Sequence, residues 1–140
     1  MSNLKKYLLV LLLVISTQSI SEGSYQPETG NSEMDKALID LNIKITNKNK
    51  YKFIRMSANE FQVQIEKVKE LYTHYHFTSA DVLMALSIAD TTGEPLKNIS
   101  REYFENKKLG WKNIFKQFQV RQDSNAYKQI VKDTKAEFFN

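Results

Sequence analysis

"TSADVLMALSIADTTGEP", residues 78–95, is the stretch of sequence that decides the fold. Thr78 and Asp81 have the spacing of a capping box, in which the threonine oxygen accepts a free backbone N–H and the aspartate reaches back. Gly93 is placed to supply a left-handed C-cap, and Pro95 pre-sets the first turn of a following helix. The stretch therefore predicts two consecutive helices. The apolar positions of the first are Val82, Leu83, Leu86 and Ala89.

Apolar residues recur at helical spacing on both sides of this stretch. Upstream, two stripes are Met34, Ala37, Leu38, Leu41 and Ile45, and then Ile65, Val68, Leu71, Tyr72 and Tyr75. Downstream, the stripes are Leu96, Ile99 and Tyr103, and then Trp111, Ile114, Phe115 and Phe118 after Gly110. Asp123 or Ser124 caps a last helix that bears Tyr127, Ile130, Val131 and Phe138. Residues 51–61 sustain neither period and predict a loop or a short extended piece.

The N-terminus has the order of a secretory signal peptide. Lys5 and Lys6 precede an unbroken apolar core, residues 7–15, and small polar residues follow at 16–21. A membrane span needs about 20 apolar residues, and this run is less than half that length. We therefore expect residues 1–21 to be cleaved, which would leave an exported protein, periplasmic or secreted, without a stable membrane span.

The rest of the chain is long enough for one small domain. Residues 22–33 are polar and aperiodic, with glycine and proline, and predict a flexible lead-in. Residues 34–140 predict a helical domain. The expected fold is thus all-α, a small single-domain bundle of about four to six short helices after the signal peptide.

Three segments in order, "ADVLMALSIADTTGEPLKNI", "LGWKNIFKQFQV" and "DSNAYKQI", give the chain a resemblance to a family. Over roughly residues 35–132 it resembles small exported bacterial proteins with a Gly-x-Pro-Leu turn and a Gly-Trp helix start, with no established biochemical activity. Here Lys112 and Gln119 occupy two positions where that family tends to have glycine. The resemblance implies export and a helical fold, and it assigns no catalytic residue. The structural signature is Thr78, Asp81, Gly93, Pro95, Gly110 and Trp111.

The charge of the chain argues against nucleic acid as a partner. Without Lys5 and Lys6 the chain keeps 18 basic and 16 acidic residues, a net charge of +2, which supplies little counterion release. A solvated surface of mixed charge is expected rather than a groove for polyanions. Lys112 and Lys116 could face DNA from one helix, but the spacing of Trp111 places its ring on the apolar stripe. We expect that ring to pack in the core.

No pattern of catalytic, cofactor-binding or metal-binding residues stands out. Cysteine is absent from the chain, and no Gly-x-Ser-x-Gly, P-loop or dinucleotide motif occurs. His74 and His76 would diverge by about 200° on a helix, so a surface pair is favoured over a metal site. Asp81 and Asp90 would lie on opposite helix faces. We therefore expect no catalytic residue, no cofactor and no metal.

Two functional hypotheses follow. The first is a non-enzymatic binding or envelope-associated module with an unknown protein or envelope component as partner. The alternative is a small secreted enzyme or effector that acts on a cell-envelope polymer or a host component. A concave pocket with convergent carboxylates or histidines would favour the enzyme, and a flat apolar patch would favour the binding module.

Overall fold

The computed structural model describes residues 24–140, which form seven α-helices and two short 3₁₀ turns in one all-α domain. The helices are α1 (Ser32–Lys44), α2 (Lys50–Glu60), α3 (Ile65–Thr73), α4 (Ser79–Thr92), α5 (Leu96–Glu105), α6 (Gly110–Gln117) and α7 (Asn125–Asp133). The all-α expectation is confirmed, with slightly more helices than four to six. The predicted signal peptide lies outside the described residues. Within residues 24–140, no helix combines the length and the apolar character needed to cross a membrane.

Helix α4 is the centre of the domain. It packs against α1, α3, α5 and α7, and every residue from Ser79 to Ile88 is buried. A helix that is surrounded by others must be apolar on all sides, which explains the nearly continuous apolar run. The predicted caps are confirmed, because both hydrogen bonds of the capping box are present and Gly93 ends the helix with φ 75°.

The expectation of a loop or extended piece at 51–61 is wrong, because this stretch is helix α2, Lys50–Glu60. Its buried residues are Phe53, Ile54, Ser57 and Ala58. Ser57 is fully buried at a core position of this helix. A polar residue at that position interrupts the apolar period, and the sequence pattern therefore hides the helix.

The last helix is shorter than its predicted apolar stripe. Ser124 caps α7 by accepting a hydrogen bond from the Tyr127 N–H at 3.1 Å, and the helix ends at Asp133. Phe138, which was expected on this helix, lies instead in the 3₁₀ turn Glu137–Phe139. Ala136, between the two elements, adopts a left-handed conformation with φ 46°. Phe138 stacks on Phe53 of α2, with ring centroids 6.2 Å apart.

Residues 24–33 of the predicted lead-in, 22–33, are described by the structure, and part of this stretch is packed or helical. Pro27 and Thr29 are buried, and the Thr29 hydroxyl donates to a carboxylate oxygen of Asp35 at 2.6 Å. Helix α1 begins at Ser32, and Asn31 caps it by accepting from the Met34 N–H. Residues 24–30 therefore form a segment without regular secondary structure that packs on the helices, and we call it the N-terminal strap.

Gln119, just after α6, provides a test of the backbone. It has φ 57°, a left-handed conformation that glycine adopts without strain. We expect Gln119→Gly to stabilise the domain by about 0.5–1 kcal/mol, since the side chain is exposed and the conformational strain is removed. Urea titration of both proteins measures this difference. A loss of stability would contradict the interpretation of strain.

Candidate functional site

A buried carboxylate joins the segments of the structural signature. The Asp81 side chain has no solvent exposure. One of its oxygens accepts the Tyr25 hydroxyl at 2.7 Å and the Trp111 indole N–H at 3.1 Å. The other accepts the Thr78 backbone N–H at 3.4 Å and lies 3.9 Å from Nζ of Lys107. Buried charges need such partners, and Asp81 finds them on the strap, α4, the turn after α5, and α6.

Aromatic stacking completes this cluster. Trp111 is fully buried, and its ring lies 3.7 Å from that of Tyr103 with an interplanar angle of 11°. The Tyr103 ring also meets Phe77 edge to face at 5.5 Å. We call Asp81, Tyr25, Tyr103, Trp111 and Lys107 the Asp81 cluster. The expected packing of Trp111 is confirmed, and the buried ring is not available to stack on a base.

The strap also supplies the N-terminus of α6 with hydrogen-bond acceptors. The Trp111 N–H donates to the Pro27 carbonyl at 3.0 Å, and the Lys112 N–H donates to the Glu28 carbonyl at 2.9 Å. The first N–H groups of a helix have no partner within the helix. Because the strap satisfies two of them, it holds α6 in place from outside.

The signature residues fall into two places. Thr78, Asp81, Gly110 and Trp111 meet in or beside the Asp81 cluster, whereas Gly93 ends α4 and Pro95 precedes α5. The local sequence predicts Asp81 as a cap and Trp111 as core packing, but it does not predict the hydrogen bond between them. Nor does it predict Tyr25, because nothing in a polar, aperiodic segment marks a tyrosine as a partner of a distant carboxylate.

Burial controls the ionisation of the tyrosines around this cluster. Burial, followed by the negative charge of Asp81, raises the pKa of Tyr25 far above its usual value of 10.0. The same two causes raise the pKa of Tyr103 well above the ordinary tyrosine value. At α3, burial raises the pKa of Tyr72 to about 12. The Tyr25 hydroxyl is therefore a proton donor to Asp81 over the whole physiological range.

These shifts predict alkaline destabilisation. A pKa raised in the folded state contributes stability that is complete below the unfolded pKa, near 10, and is lost as the pH rises towards the folded pKa. We expect the unfolding free energy to fall above pH of about 10, and Tyr25→Phe to make that fall shallower by up to about 1.4 kcal/mol per pH unit. Urea titrations at several alkaline pH values provide the measurement. If the unfolding free energy fell equally steeply with pH in the wild type and in Tyr25→Phe, the pKa of Tyr25 would not be raised by folding.

The Asp81 cluster is enclosed, and its role is therefore structural. A carboxylate without solvent access cannot meet a substrate, and four donors or cations already surround it. What the cluster does is fix the strap, α4 and α6 relative to one another. A ligand must therefore bind elsewhere on the described surface.

A groove between α3 and the start of α5 is the most suitable place for a ligand. Its volume is about 650 Å³, within the usual size range of ligand sites. Apolar side chains line much of it, namely Val63, Leu71, Tyr75, Pro95 and Leu96. Pro95 and Leu96 belong to the Gly-x-Pro-Leu turn, so part of that turn lines this groove.

Charged side chains surround the apolar part of the groove. Lys67, Glu70, His74 and Lys97 line it and are exposed. Glu70 lies 3.5 Å from Lys67, which engages its carboxylate. Beyond the groove, the exposed ring of Phe104 meets Tyr75 edge to face at 5.9 Å. The groove thus has an apolar lining, both signs of charge, and an aromatic extension.

The histidine pair lies at the end of α3. His74 is the C-cap of that helix, and His76 follows in a left-handed conformation with φ 55°. Both side chains are exposed, as expected for a surface pair. Among residues 24–140, no group of three or more histidine, aspartate or glutamate side chains is arranged to hold a metal ion.

The chain matches no model of a known protein family, and comparisons with curated proteins and with solved structures likewise gave no match. Any function must therefore be inferred from the geometry of the surface itself.

Proposed function

We propose that this protein is an exported, non-enzymatic helical module that binds a partner protein by accepting an apolar segment in the groove between α3 and α5. The observation that carries the proposal is the apolar lining of a concave surface whose rim has both positive and negative side chains. Amphipathic segments bind to helical proteins in such grooves, with apolar anchors inside and polar contacts at the rim. The proposal of export rests on the N-terminal sequence pattern.

The rim favours binding over catalysis. The groove is concave, as the enzyme hypothesis requires, but only one carboxylate, Glu70, and one histidine, His74, line it, and Nζ of Lys67 lies 3.5 Å from that carboxylate. Phe104 is 50% exposed beside Tyr75, which extends the apolar surface beyond the groove. An exposed aromatic ring next to an apolar groove is typical of contact residues in protein interfaces.

Site-specific photocrosslinking in cells tests this proposal. A photoreactive amino acid at Lys97, on the rim, should give a crosslinked product whose partner is identified by mass spectrometry. The same amino acid at the exposed Lys128 of α7 is the matched control and should not give that product. A second substitution, Leu96→Glu, should abolish the product at Lys97, because it places a charge in the apolar lining. Identical products at both positions, or a product indifferent to Leu96→Glu, would contradict the proposal.

A small hydrolytic enzyme is the second candidate, favoured by one observation. Glu70 and His74 are four residues apart on α3 and line the same groove, so one helical turn brings together two groups able to transfer protons. The test is release of soluble fragments from purified cell-wall polymer. Release that disappears in both Glu70→Gln and His74→Gln would favour the enzyme. Crosslinking at Lys97 that persists in both variants, without release by the wild type, would favour the binding module.

A further inference from the structure

The positive charge of this protein is concentrated in one region. From Leu41 to Asn59 the sequence contains five cations and no acidic residue. The cations are Lys44, Lys48, Lys50, Lys52 and Arg55. In the fold this stretch is the end of α1, a short loop and helix α2. A net charge of only +2 for residues 22–140 therefore conceals a strongly basic segment and a compensating excess of acid elsewhere.

Aromatic rings contact four of these cations, all but Lys48, together with Lys69 of α3. Nζ of Lys44 and Nζ of Lys52 lie 5.2 and 5.3 Å from the centre of the Phe139 ring. On α2, the Tyr51 ring has the Arg55 guanidinium at 6.0 Å and Nζ of Lys69 at 5.6 Å. Both sets of distances lie in the range of cation–π attraction. The two groups adjoin on α2, where Lys52 and Arg55 are three residues apart and therefore neighbours on the helix surface.

A fifth cation belongs to the same surface, because Nζ of Lys50 lies 5.2 Å from the Tyr72 ring of α3. We call this surface the basic aromatic face. It consists of Lys44, Lys50, Lys52, Arg55 and Lys69 with Tyr51, Tyr72 and Phe139. None of these residues lines the groove between α3 and α5.

The cations of this face have no acidic partner among the described residues. The lysines that come within 4.0 Å of a carboxylate in residues 24–140 are Lys36, Lys67, Lys107 and Lys112. The acid next to Lys69 along α3 is Glu70, which pairs with Lys67. Like charges held close together repel one another, and the cation–π contacts offset only part of this repulsion. An external anionic surface would neutralise the remaining positive charge.

Exposed apolar groups accompany the charges. The Tyr51 side chain is 57% exposed between its two cations. Ile43, directly before Lys44 in the chain, is 71% exposed. A tyrosine has an apolar ring with a polar tip, and this combination suits the boundary between lipid headgroups and acyl chains.

We propose that the basic aromatic face docks on an anionic lipid bilayer. Clusters of four to eight lysines and arginines are typical of surfaces that recognise acidic headgroups. Lysine supplies four of the five cations, whereas protein interfaces are depleted of lysine. A nucleic acid would use free ring faces to stack its bases, and here cations already cover Tyr51, Tyr72 and Phe139. An anionic bilayer uses the positive charge, the exposed tyrosine and the neighbouring isoleucine together.

Vesicle co-sedimentation of the full chain tests this proposal. The vesicles contain phosphatidylglycerol and phosphatidylcholine at about three to seven, with pure phosphatidylcholine as the neutral comparison. The face variant is Lys52→Gln with Arg55→Gln and Lys69→Gln. The control variant is Lys108→Gln with Lys116→Gln and Lys128→Gln, which removes the same charge from exposed positions on other elements. Residues 1–23 are the same in every protein compared, so a difference between the variants comes from the substituted residues.

We expect the wild type to bind the anionic vesicles more tightly than the neutral ones, with a difference that added salt reduces. Each cation near the surface contributes roughly fivefold in partitioning, so the face variant should bind the anionic vesicles roughly a hundredfold less tightly. The control variant should change this binding by less than about threefold. Tyr51→Ser should weaken binding to anionic vesicles without changing the net charge.

Three results would overturn the proposal. Equal losses in the face and control variants would mean that net charge alone attracts the chain, and no loss in either would place any binding elsewhere. Binding to soluble polyglutamate or to DNA that needs the face residues, without binding to anionic vesicles, would assign the face to an acidic macromolecule. Urea titration of both variants establishes that each is folded before the vesicles are added.

Discussion

Replacing Trp111 with alanine is expected to lower the free energy of unfolding by about 3–5 kcal/mol. The ring is fully buried and stacks on Tyr103 at 3.7 Å, so its removal leaves a large cavity between α5 and α6. The same substitution removes the indole N–H that donates to Asp81 at 3.1 Å. A buried carboxylate that loses a donor is destabilised further, which favours the upper part of this range.

Two exposed lysines of α6 provide the matched controls. Lys112→Ala and Lys116→Ala should each change stability by less than about 0.5 kcal/mol, because both side chains are exposed. Lys112 lies 4.0 Å from Glu28, but an exposed ion pair of this kind contributes little. Urea titrations of the three variants under identical conditions give the comparison. Small and similar effects in all three would mean that the ring of Trp111 does not pack as the structure shows.

A variant that keeps an aromatic ring separates packing from hydrogen bonding. Trp111→Phe retains most of the apolar contact with Tyr103 but loses the donor to Asp81. We expect it to be more stable than Trp111→Ala, because phenylalanine fills part of the volume of the indole. We expect it to be less stable than the wild type, because phenylalanine cannot donate a hydrogen bond to Asp81. This order follows from the two roles of the indole in the Asp81 cluster.

The features predictable from sequence were those that depend on neighbours along the chain. The capping box of Thr78 and Asp81 and the left-handed C-cap at Gly93 are each determined within a few residues. The apolar spacing around Trp111 likewise placed its ring in the core. Such signals fix the class of fold, because an amphipathic helix must bury its apolar face whatever it packs against.

Contacts between distant segments were not predictable. Tyr25 is 56 residues from Asp81 along the chain, and their hydrogen bond has no signature in either local sequence. Helix α2 was missed because Ser57 occupies a core position, which breaks the apolar period although the helix is well packed. Both the hydrogen bond and the helix depend on packing between elements, which the local pattern of apolar residues does not predict.

The groove between α3 and α5 and the basic aromatic face differ in how far the sequence alone predicts them. The groove takes its lining from both α3 and α5, so the sequence alone could not bring Leu71 and Leu96 to the same site. The cations from Lys44 to Arg55 were visible in the sequence, but the near-neutral total charge led to an expectation of mixed, solvated charge. Their convergence on Phe139 and Tyr51 became apparent only in the fold.

Glycine at position 110 allows the strap to approach α6. Gly110 has φ 72° and ψ 179°, a backbone region that is essentially restricted to glycine. A Cβ atom placed there would lie 2.5 Å from the Cβ of Glu28 and 2.8 Å from the Glu28 carbonyl oxygen. Gly93 also has a positive φ, 75°, but a Cβ there would meet nothing within 4 Å. The two glycines therefore form a matched pair that differs in close contact.

Gly110→Ala is expected to destabilise the domain by at least about 3 kcal/mol, and Gly93→Ala by only about 1–2 kcal/mol. Both variants carry backbone strain, but only Gly110→Ala must displace Glu28, part of the strap whose carbonyls accept from the N–H groups of Trp111 and Lys112. Urea titration gives the two energies, and hydrogen exchange at those two amides identifies the cause. Exchange should accelerate in Gly110→Ala beyond what its global stability explains and should not do so in Gly93→Ala. If both variants lost the same free energy of unfolding and both amides stayed protected, the contact between the strap and α6 would not depend on the absence of a side chain at position 110.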